Sequence, residues 1–434
     1  MIGAALFIVL VLSSVASLAI GPVPLRATLF GLPAIGFVVA ATFFALRALR
    51  DHEPTIRVRD ITRAAVLFAV GTFLWLAVLD VYTFTQEAGP GVAAACAVAC
   101  VPTTAFGLWV IRRFDRNEKE PWRLVLVAAL WGAIVSTSLV VWAEGLWDLA
   151  FTARLVPGHA AETSAAYSAG IFEELAKGTA VLLLYLVMRD EFDDVVDGII
   201  YGAAVGLGFN FMESIAYMTH QYAILAPVGL GPVGAIGQWY FRQVVGLFLG
   251  HATFTALIGA GIGIARQMPG LGQRLLAAAC GFLAAIAGHF AWDAWQAYVL
   301  VGASSLQLLL ANARYVIVIG PFAAVVLLLL VMGQRVEGSA LLRQLSAEAS
   351  TGLGAVLADE VPVLMSPWQR FAARLAALGR GGPGAYVRLA RLQTAQLHLA
   401  MERWHRERHE IDRPPAAEEA LRRQVLVLRG LPGG

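Results

Sequence analysis

Residues 195–219 have the sequence VVDGIIYGAAVGLGFNFMESIAYMT, an apolar stretch long enough to cross a bilayer as a single helix. Glycines recur every fourth residue at Gly198, Gly202 and Gly206, a spacing that lets a neighbouring helix approach closely. Two polar residues, Asn210 and Glu213, follow these glycines. The stretch therefore predicts a membrane helix that packs tightly against a partner and carries an ionisable group inside the bilayer.

The composition of the whole chain agrees with this interpretation. Of the 434 residues, 59% are hydrophobic and only 14% are charged, whereas soluble domains contain about 25% charged residues. A chain so poor in charge could not cover a soluble surface, so the composition excludes a soluble enzyme, a disordered protein and a nucleic-acid-binding protein. It predicts an all-α polytopic membrane protein, embedded in the lipid bilayer of the cell membrane.

Ten stretches are apolar and long enough to span the bilayer, so we expect a bundle of about ten transmembrane helices. They are residues 2–20, 28–46, 64–84, 91–111, 124–150, 164–188, 195–219, 239–265, 275–300 and 315–333. The first is interpreted as a retained helix, since no basic residue precedes it and no clear signal-peptidase site follows it. The sixth to ninth contain embedded polar residues, so they are the least regular of the ten.

The basic residues of the loops predict the orientation. The loops after the second and fourth spans are rich in Arg and Lys, whereas the loops after the first, third and fifth contain Arg26, no basic residue and Arg154. Basic loops face the cytoplasm. With ten spans, both the N and the C terminus are expected to be cytoplasmic.

Three regions follow from these patterns. Residues 1–150 are predicted to form five N-terminal membrane helices, residues 151–333 a catalytic membrane core, and residues 334–434 an Arg-rich cytoplasmic helical tail. The tail contains 14 Arg against 10 Asp and Glu, and apolar residues recur at helical spacing over Ala385–His409. A solvated bundle helix is favoured there over a helix lying on the lipid surface, and Gly381–Gly384 is expected to be a loop.

Ionisable residues inside a membrane are costly and usually functional. In the sixth span, Glu173 and Glu174 are adjacent, and Glu173 and Lys177 have the spacing of a helical ion pair. Lys177 is one of only two lysines in the chain, which indicates a need for a compact positive charge. Because adjacent helical positions diverge by about 100°, we expect only one of the two acids to face a shared site.

The next three spans contribute further polar residues. They are Asn210 and Glu213 in the seventh, Arg242, His251 and Thr255 in the eighth, and His289 and Asp293 in the ninth. Counted along alternating helices at about 1.5 Å per residue, the acids and imidazoles fall into one layer in the outer half of the membrane. We therefore predict a shared, water-reachable site. The Asp193–Asp197 cluster is interpreted separately, as an acidic cap at the start of the seventh helix.

Two mechanisms suit this set of residues. A Glu in a low-dielectric pocket can act as general base toward water, while histidines stabilise the oxyanion of the attacked carbonyl. Alternatively, Glu213, His251 and His289 could hold a zinc ion, with Glu173 or Glu174 as the base. The cofactor therefore stays open between one divalent metal such as zinc and a metal-free glutamate mechanism.

The order of these motifs resembles the PrsW family of intramembrane proteases, which is related to the CAAX prenyl endopeptidase group. The motifs are Glu173-Glu174-x-x-Lys177, Phe209-x3-Glu213, Arg242-x8-His251-x3-Thr255 and a last intramembrane His289. One departure is Ser214, where many members are expected to have Asn directly after the Glu; Asn210 lies one turn earlier.

The resemblance implies an endopeptidase that cuts a single-pass, membrane-anchored regulatory protein, such as an anti-sigma factor, near the extracytoplasmic side. It implies catalytic roles for Glu173, Glu174, His251 and His289, with Glu213 as a supporting residue or ligand. Supporting roles are expected for Lys177, Arg242, Asn210, Thr255 and Asp293, the last as a carboxylate that orients His289. The alternatives are a proton-coupled transporter, since Glu and His chains also relay protons, and a non-catalytic scaffold or sensor.

Overall fold

The computed structural model describes residues 32–50, 53–117, 119–147, 160–189, 191–298, 305–407 and 416–431. The span predicted over 2–20, together with Arg26 and the loop containing Arg154, lies outside these ranges. Within them the chain is helical and contains no strand, which confirms the predicted all-α fold.

Fourteen helices are numbered in chain order over these ranges. They are α1 Leu32–Arg50, α2 Pro54–Ala88, α3 Pro90–Phe114, α4 Trp122–Trp147, α5 Ala160–Val187, α6 Val195–Leu225, α7 Gly231–Trp239, α8 His251–Gln267, α9 Leu271–Tyr298, α10 Ser305–Arg314, α11 Gly320–Ser350, α12 Val361–Met365, α13 Pro367–Glu407 and α14 Ala416–Arg429. Wider π-helical turns lie within α4, after α7 and between α10 and α11.

Seven segments of the described chain are long and apolar enough to cross a membrane. They include α1 to α4, α6 and α9, and the seventh runs from α10 into α11. The helices corresponding to the sixth and eighth predicted spans are not among them, since α5 contains several charges and the eighth span is interrupted. The protein is a multi-pass membrane protein, and the count of ten helices stays a prediction.

Helix α6 lies at the centre of the bundle and is buried along most of its length. Its glycine stripe lies against α8, because a Cβ at Gly198, Gly202 or Gly206 would clash with backbone atoms of Gly259, Thr255 or His251, respectively. This confirms the close packing that the glycine spacing predicts. The outer helices instead expose apolar side chains, as lipid-facing helices do; Phe43 and Leu49 are examples.

The eighth predicted span, 239–265, is not one continuous helix. It consists of α7, a π-helical turn at Tyr240–Val245 and a non-helical segment, after which α8 begins at His251. Gly246 and Gly250 flank the break, and glycine makes such irregular backbone inexpensive. The break places His251 at the first position of a helix instead of at its middle.

The tail is helical, as predicted, but its first helix begins inside the membrane region. Helix α11 continues across residue 333 and packs against α12 and α13 through Leu341, Leu345, Met401 and Trp404. Since this surface is buried by other tail helices, the tail forms a small bundle. Helix α13 is broken at Gly381 and Gly382, within the segment predicted to be a loop.

Candidate active site

Four helices bring the predicted polar residues to one place. Measured along each helix at about 1.5 Å per residue, Glu213 lies about 27 Å from Val195 and His289 about 27 Å from Leu271. His251 lies about 24 Å from Gln267. Val195, Leu271 and Gln267 lie at the end of the bundle where the tail packs. Glu213, His289 and His251 therefore form a layer near the opposite end, as the sequence predicts.

Lys177 is at the centre of the site and is fully buried. Its Nζ lies 3.1 Å from Glu173 Oε2, 2.6 Å from Glu174 Oε1 and 3.0 Å from Nδ1 of His251. The ammonium group also lies 4.3 Å from the centroid of the Phe209 ring. The lysine therefore links two carboxylates and one imidazole from two helices.

Both acids of the pair face this site, contrary to the expectation that only one would. Glu174 Oε1 lies 2.8 Å from His289 Nδ1, and Thr255 Oγ1 donates to Glu174 Oε2 at 3.4 Å. Glu173 Oε2 lies 3.6 Å from both His251 Nδ1 and His289 Nε2. The two side chains diverge at the backbone, but each is long enough to reach the lysine from its own side.

Glu213 and Arg242 form an ion pair beside the cluster around Lys177. Arg242 donates from Nη1 to Glu213 Oε2 at 3.0 Å and from Nη2 to Glu213 Oε1 at 3.2 Å, a two-pronged ion pair. The same carboxylate lies 2.5 Å from Nε2 of His251. Glu213 therefore fixes the ring of His251 from the side opposite Lys177.

The remaining supporting residues hold the site together in different ways. Asn210 Nδ2 donates to the carbonyl oxygen of Arg242 at 3.2 Å, so it secures the π-helical turn that presents the arginine. Asp293 Oδ2 lies 3.6 Å from His289 Nε2, close to the orienting position expected for it. Ser214, the departure from the family motif, accepts a hydrogen bond from the buried Gln243 at 2.9 Å.

Several aromatic contacts were not predicted. Arg242 stacks over the ring of Tyr217 at 3.8 Å, and Phe254 stacks on His289 with ring centroids 5.5 Å apart. In the sequence, Tyr217 follows Glu213 by one helical turn and Phe254 follows His251 by one turn. This spacing alone only weakly indicates that the two aromatic residues belong to the site. They restrict the positions of the arginine and the imidazole.

The site is closed at one end and open at the other. The side chains of Glu174 and Lys177 have no exposed surface, whereas those of His251, Glu213 and Asp293 are 12%, 16% and 25% exposed. The groups on the open side are therefore partly exposed, while the inner pair is enclosed.

The donor types fit a divalent metal ion. Glu173, Glu174, His251 and His289 each offer a ligand atom, and these atoms lie within 4.8 Å of one another. This set differs from the one expected from the sequence, because Glu213 is engaged with Arg242 and the two acids of α5 take its place. The ammonium group of Lys177 contacts three of the four groups, so a metal and the lysine would share ligands.

The fold and the site define a polytopic membrane protein with a buried Glu, His and Lys centre. Residues 120–330 match the profile described as PrsW family intramembrane metalloprotease. Over this segment, just under half of the chain, the protein is similar to the PrsW family, which confirms the resemblance inferred from the motifs.

Two relatives of known name match parts of the chain. "Protease PrsW" of Geobacillus kaustophilus is 31% identical over 145 residues, covering 32% of this chain and 59% of that protein. "Protease PrsW" of Bacillus subtilis is 36% identical over 90 residues, covering 20% of this chain and 40% of that protein. The chain thus spans less than two thirds of each relative, and no solved structure matches it.

Proposed function

We propose that the protein is an intramembrane endopeptidase that hydrolyses a peptide bond of a single-pass membrane protein. The observation that carries the proposal is the convergence of Glu173, Glu174, His251 and His289 at one site that is partly exposed at His251. Similarity to the PrsW family supports the reaction class, since the named relatives are proteases. A membrane-anchored regulatory protein of the anti-sigma-factor type is the proposed substrate.

Glu173 is the proposed general base. Its side chain is 9% exposed, whereas Glu174 is enclosed and bonded to Thr255, Lys177 and His289. In the proposed step, Glu173 takes a proton from water as the oxygen attacks the carbonyl carbon. The same carboxyl then gives that proton to the nitrogen of the leaving amide.

His251 and His289 are proposed to stabilise the oxyanion in different ways. Their rings lie 5.2 Å apart, and each is oriented by a carboxylate, Glu213 for the first and Glu174 for the second. His289 donates from Nε2, since its Nδ1 is paired with Glu174. The two ring nitrogens of His251 contact Lys177 and Glu213, so His251 acts through its position at the start of α8. His251 is also the first residue of α8, where the positive end of the helix dipole favours developing negative charge. Preorganised positive groups of this kind accelerate attack on a carbonyl.

A divalent metal such as zinc, when bound, would be held by Glu173, Glu174, His251 and His289. It would supply additional positive charge to polarise the scissile carbonyl. The steps assigned above to the chain's own residues describe the glutamate-dependent mechanism.

The proposed orientation places the tail in the cytoplasm and the open side of the pocket toward the extracytoplasmic surface. The tail contacts the start of α6 through His405 and Asp193, whose Nε2 and Oδ2 atoms are 3.1 Å apart. Glu213 lies about 27 Å farther along the same helix, close to the full thickness of a bilayer core. Substrate is therefore expected to be cut near its extracytoplasmic juxtamembrane segment.

The proposal is tested by cleavage in proteoliposomes that contain the purified full chain and a tagged single-pass substrate from the same cell. We expect a product shortened at its extracytoplasmic side, formed by the wild type and absent with His251→Ala. Parallel reactions with and without a chelator report any metal requirement. Absence of cleavage for every single-pass candidate, together with proton uptake by the same vesicles, would instead identify a transporter.

A further inference from the structure

A polar cavity lies at the end of the bundle opposite the candidate active site, where the tail meets the membrane core. Its volume is about 230 Å³, and among the described residues seven carboxylates line it against one ammonium group, that of Lys119. His405 contacts one of these carboxylates, with its Nε2 3.1 Å from Asp193 Oδ2. The walls come from the loop between α3 and α4, the start of α6, α11 and α13. About 24 Å of helix separates Asp197 from Glu213, so the cavity is distinct from the candidate active site.

Helix capping accounts for part of this negative charge. Asp194 caps α6 by accepting from the backbone N–H groups of Val196 at 2.6 Å and Asp197 at 3.2 Å. Asp197 reciprocates by accepting from the N–H groups of Asp193 and Asp194. These contacts confirm the predicted acidic cap, but they do not explain carboxylates that reach the cavity from other elements.

Glu337 of α11 is the residue that capping leaves unexplained. It is 3% exposed and lines the cavity. Its Oε2 accepts from Nδ2 of Asn117 at 3.0 Å, whereas its buried Oε1 accepts from no N–H group of the described residues, and its carboxyl group lies beside that of Asp194. Two buried carboxyl groups side by side are costly unless a proton or a cation lies between them, so this pair offers a place for a ligand that supplies positive charge.

Glu120 adds a further buried acid from the loop between α3 and α4. It is 4% exposed and accepts from the hydroxyl group of Tyr201. Burial, reinforced by the carboxylate of Asp197, raises the pKa of Glu120 well above its usual range. Burial and Asp197 also raise the pKa of Asp194 to about 7. The carboxylates repel one another, and a bound cation would relieve that repulsion.

The geometry of the three aspartates suits a metal ion with oxygen ligands. Asp193, Asp194 and Asp197 each offer an oxygen, and these atoms lie within 4.8 Å of one another. Ligand distances of about 2.1 Å for Mg²⁺ and about 2.4 Å for Ca²⁺ place opposite ligands about 4 to 5 Å apart. Since a water occupies about 30 Å³ of liquid volume, the cavity also has room for hydrating waters.

We propose that this cavity binds a hard divalent cation, Mg²⁺ or Ca²⁺, through Asp193, Asp194, Asp197 and Glu337. Oxygen-only ligands select these ions over zinc or copper. Because the ligands come from the start of α6 and from α11, the ion joins the membrane core to the helix that leads into the tail. The tail itself closes the cavity with His398 and Met401 of α13.

The test measures thermal unfolding of the purified full chain in detergent while Mg²⁺ or Ca²⁺ is added, with calorimetric titration of the same ions. At saturating ion we expect the unfolding midpoint to rise by about 3–5 °C. Comparison of the two ions at equal concentration identifies the preferred one. Asp194→Asn and Glu337→Gln are expected to abolish the rise, and Asn keeps the side-chain cap because it is as good an N-cap as Asp.

Asp359→Asn is the matched control, since it removes one exposed carboxylate of the tail outside the cavity. This variant is expected to respond as the wild type does. The proposal is overturned if neither ion shifts the wild-type midpoint, or if Asp194→Asn and Glu337→Gln keep the full response. It is also overturned if Glu173→Gln removes the response while Glu337→Gln retains it, because the ion would then lie in the membrane site.

Discussion

Replacing Glu173 by Gln is expected to lower the rate of substrate cleavage by about 100-fold to 10,000-fold, the range typical of a lost general base. The amide keeps the size of the side chain but cannot take a proton from water. Folding should be preserved, because Glu174 remains next to Lys177 at 2.6 Å and still neutralises it. The measurement is the initial rate of product formation in proteoliposomes, normalised to the amount of folded enzyme.

Glu87→Gln is the matched control for this experiment. Glu87 is a carboxylate near the end of α2 that lies 2.6 Å from Nδ1 of His220, away from the pocket. Its amide variant should cleave substrate at the wild-type rate. A Glu173→Gln protein that cleaves within about 2-fold of the wild type would contradict the assignment of the base.

The second large effect is expected for Lys177→Met, which should lower the free energy of unfolding by about 3–5 kcal/mol. Methionine fills a similar volume, but Glu173 and Glu174 are then buried next to each other without a positive partner. Two like charges in a low-dielectric interior repel strongly. Thermal unfolding in detergent, or the amount of protein that accumulates in the membrane, reports the loss.

Two further variants separate the lost ion pairs from lost packing. Arg343→Met removes an exposed guanidinium group of the tail, outside both sites, and should have little effect on stability. Lys177→Met combined with Glu173→Gln and Glu174→Gln should recover part of the lost stability, since no uncompensated charge remains. Equal stability of Lys177→Met and the wild type would show that the lysine does not hold the site together.

The sequence was sufficient to predict the membrane class, the all-α fold and the close packing along the glycine stripe of α6. These features follow from local composition and spacing, because an apolar stretch must be helical in lipid and regularly spaced small residues permit close contact. It also predicted the polar layer, since the depth of a residue in a span follows from its position along a regular helix.

The remaining details depend on tertiary contacts. The break before His251 depends on backbone flexibility at Gly246 and Gly250, which a hydropathy pattern does not register. The role of Glu213 depends on a partner 29 residues away, Arg242. Helical phase alone indicated that only one of two adjacent acids could face the site, but side-chain length lets both reach Lys177.

The central claim is that water activated in the pocket of α5, α6, α8 and α9 cuts a peptide bond. The most direct measurement is mass spectrometry of the products formed by the purified wild-type protein in water enriched in oxygen-18. The account predicts one oxygen-18 atom at the new carboxyl terminus and no product from Glu173→Gln above its residual rate. Product that contains no label, or equal amounts of labelled product from Glu173→Gln and the wild type, would contradict it.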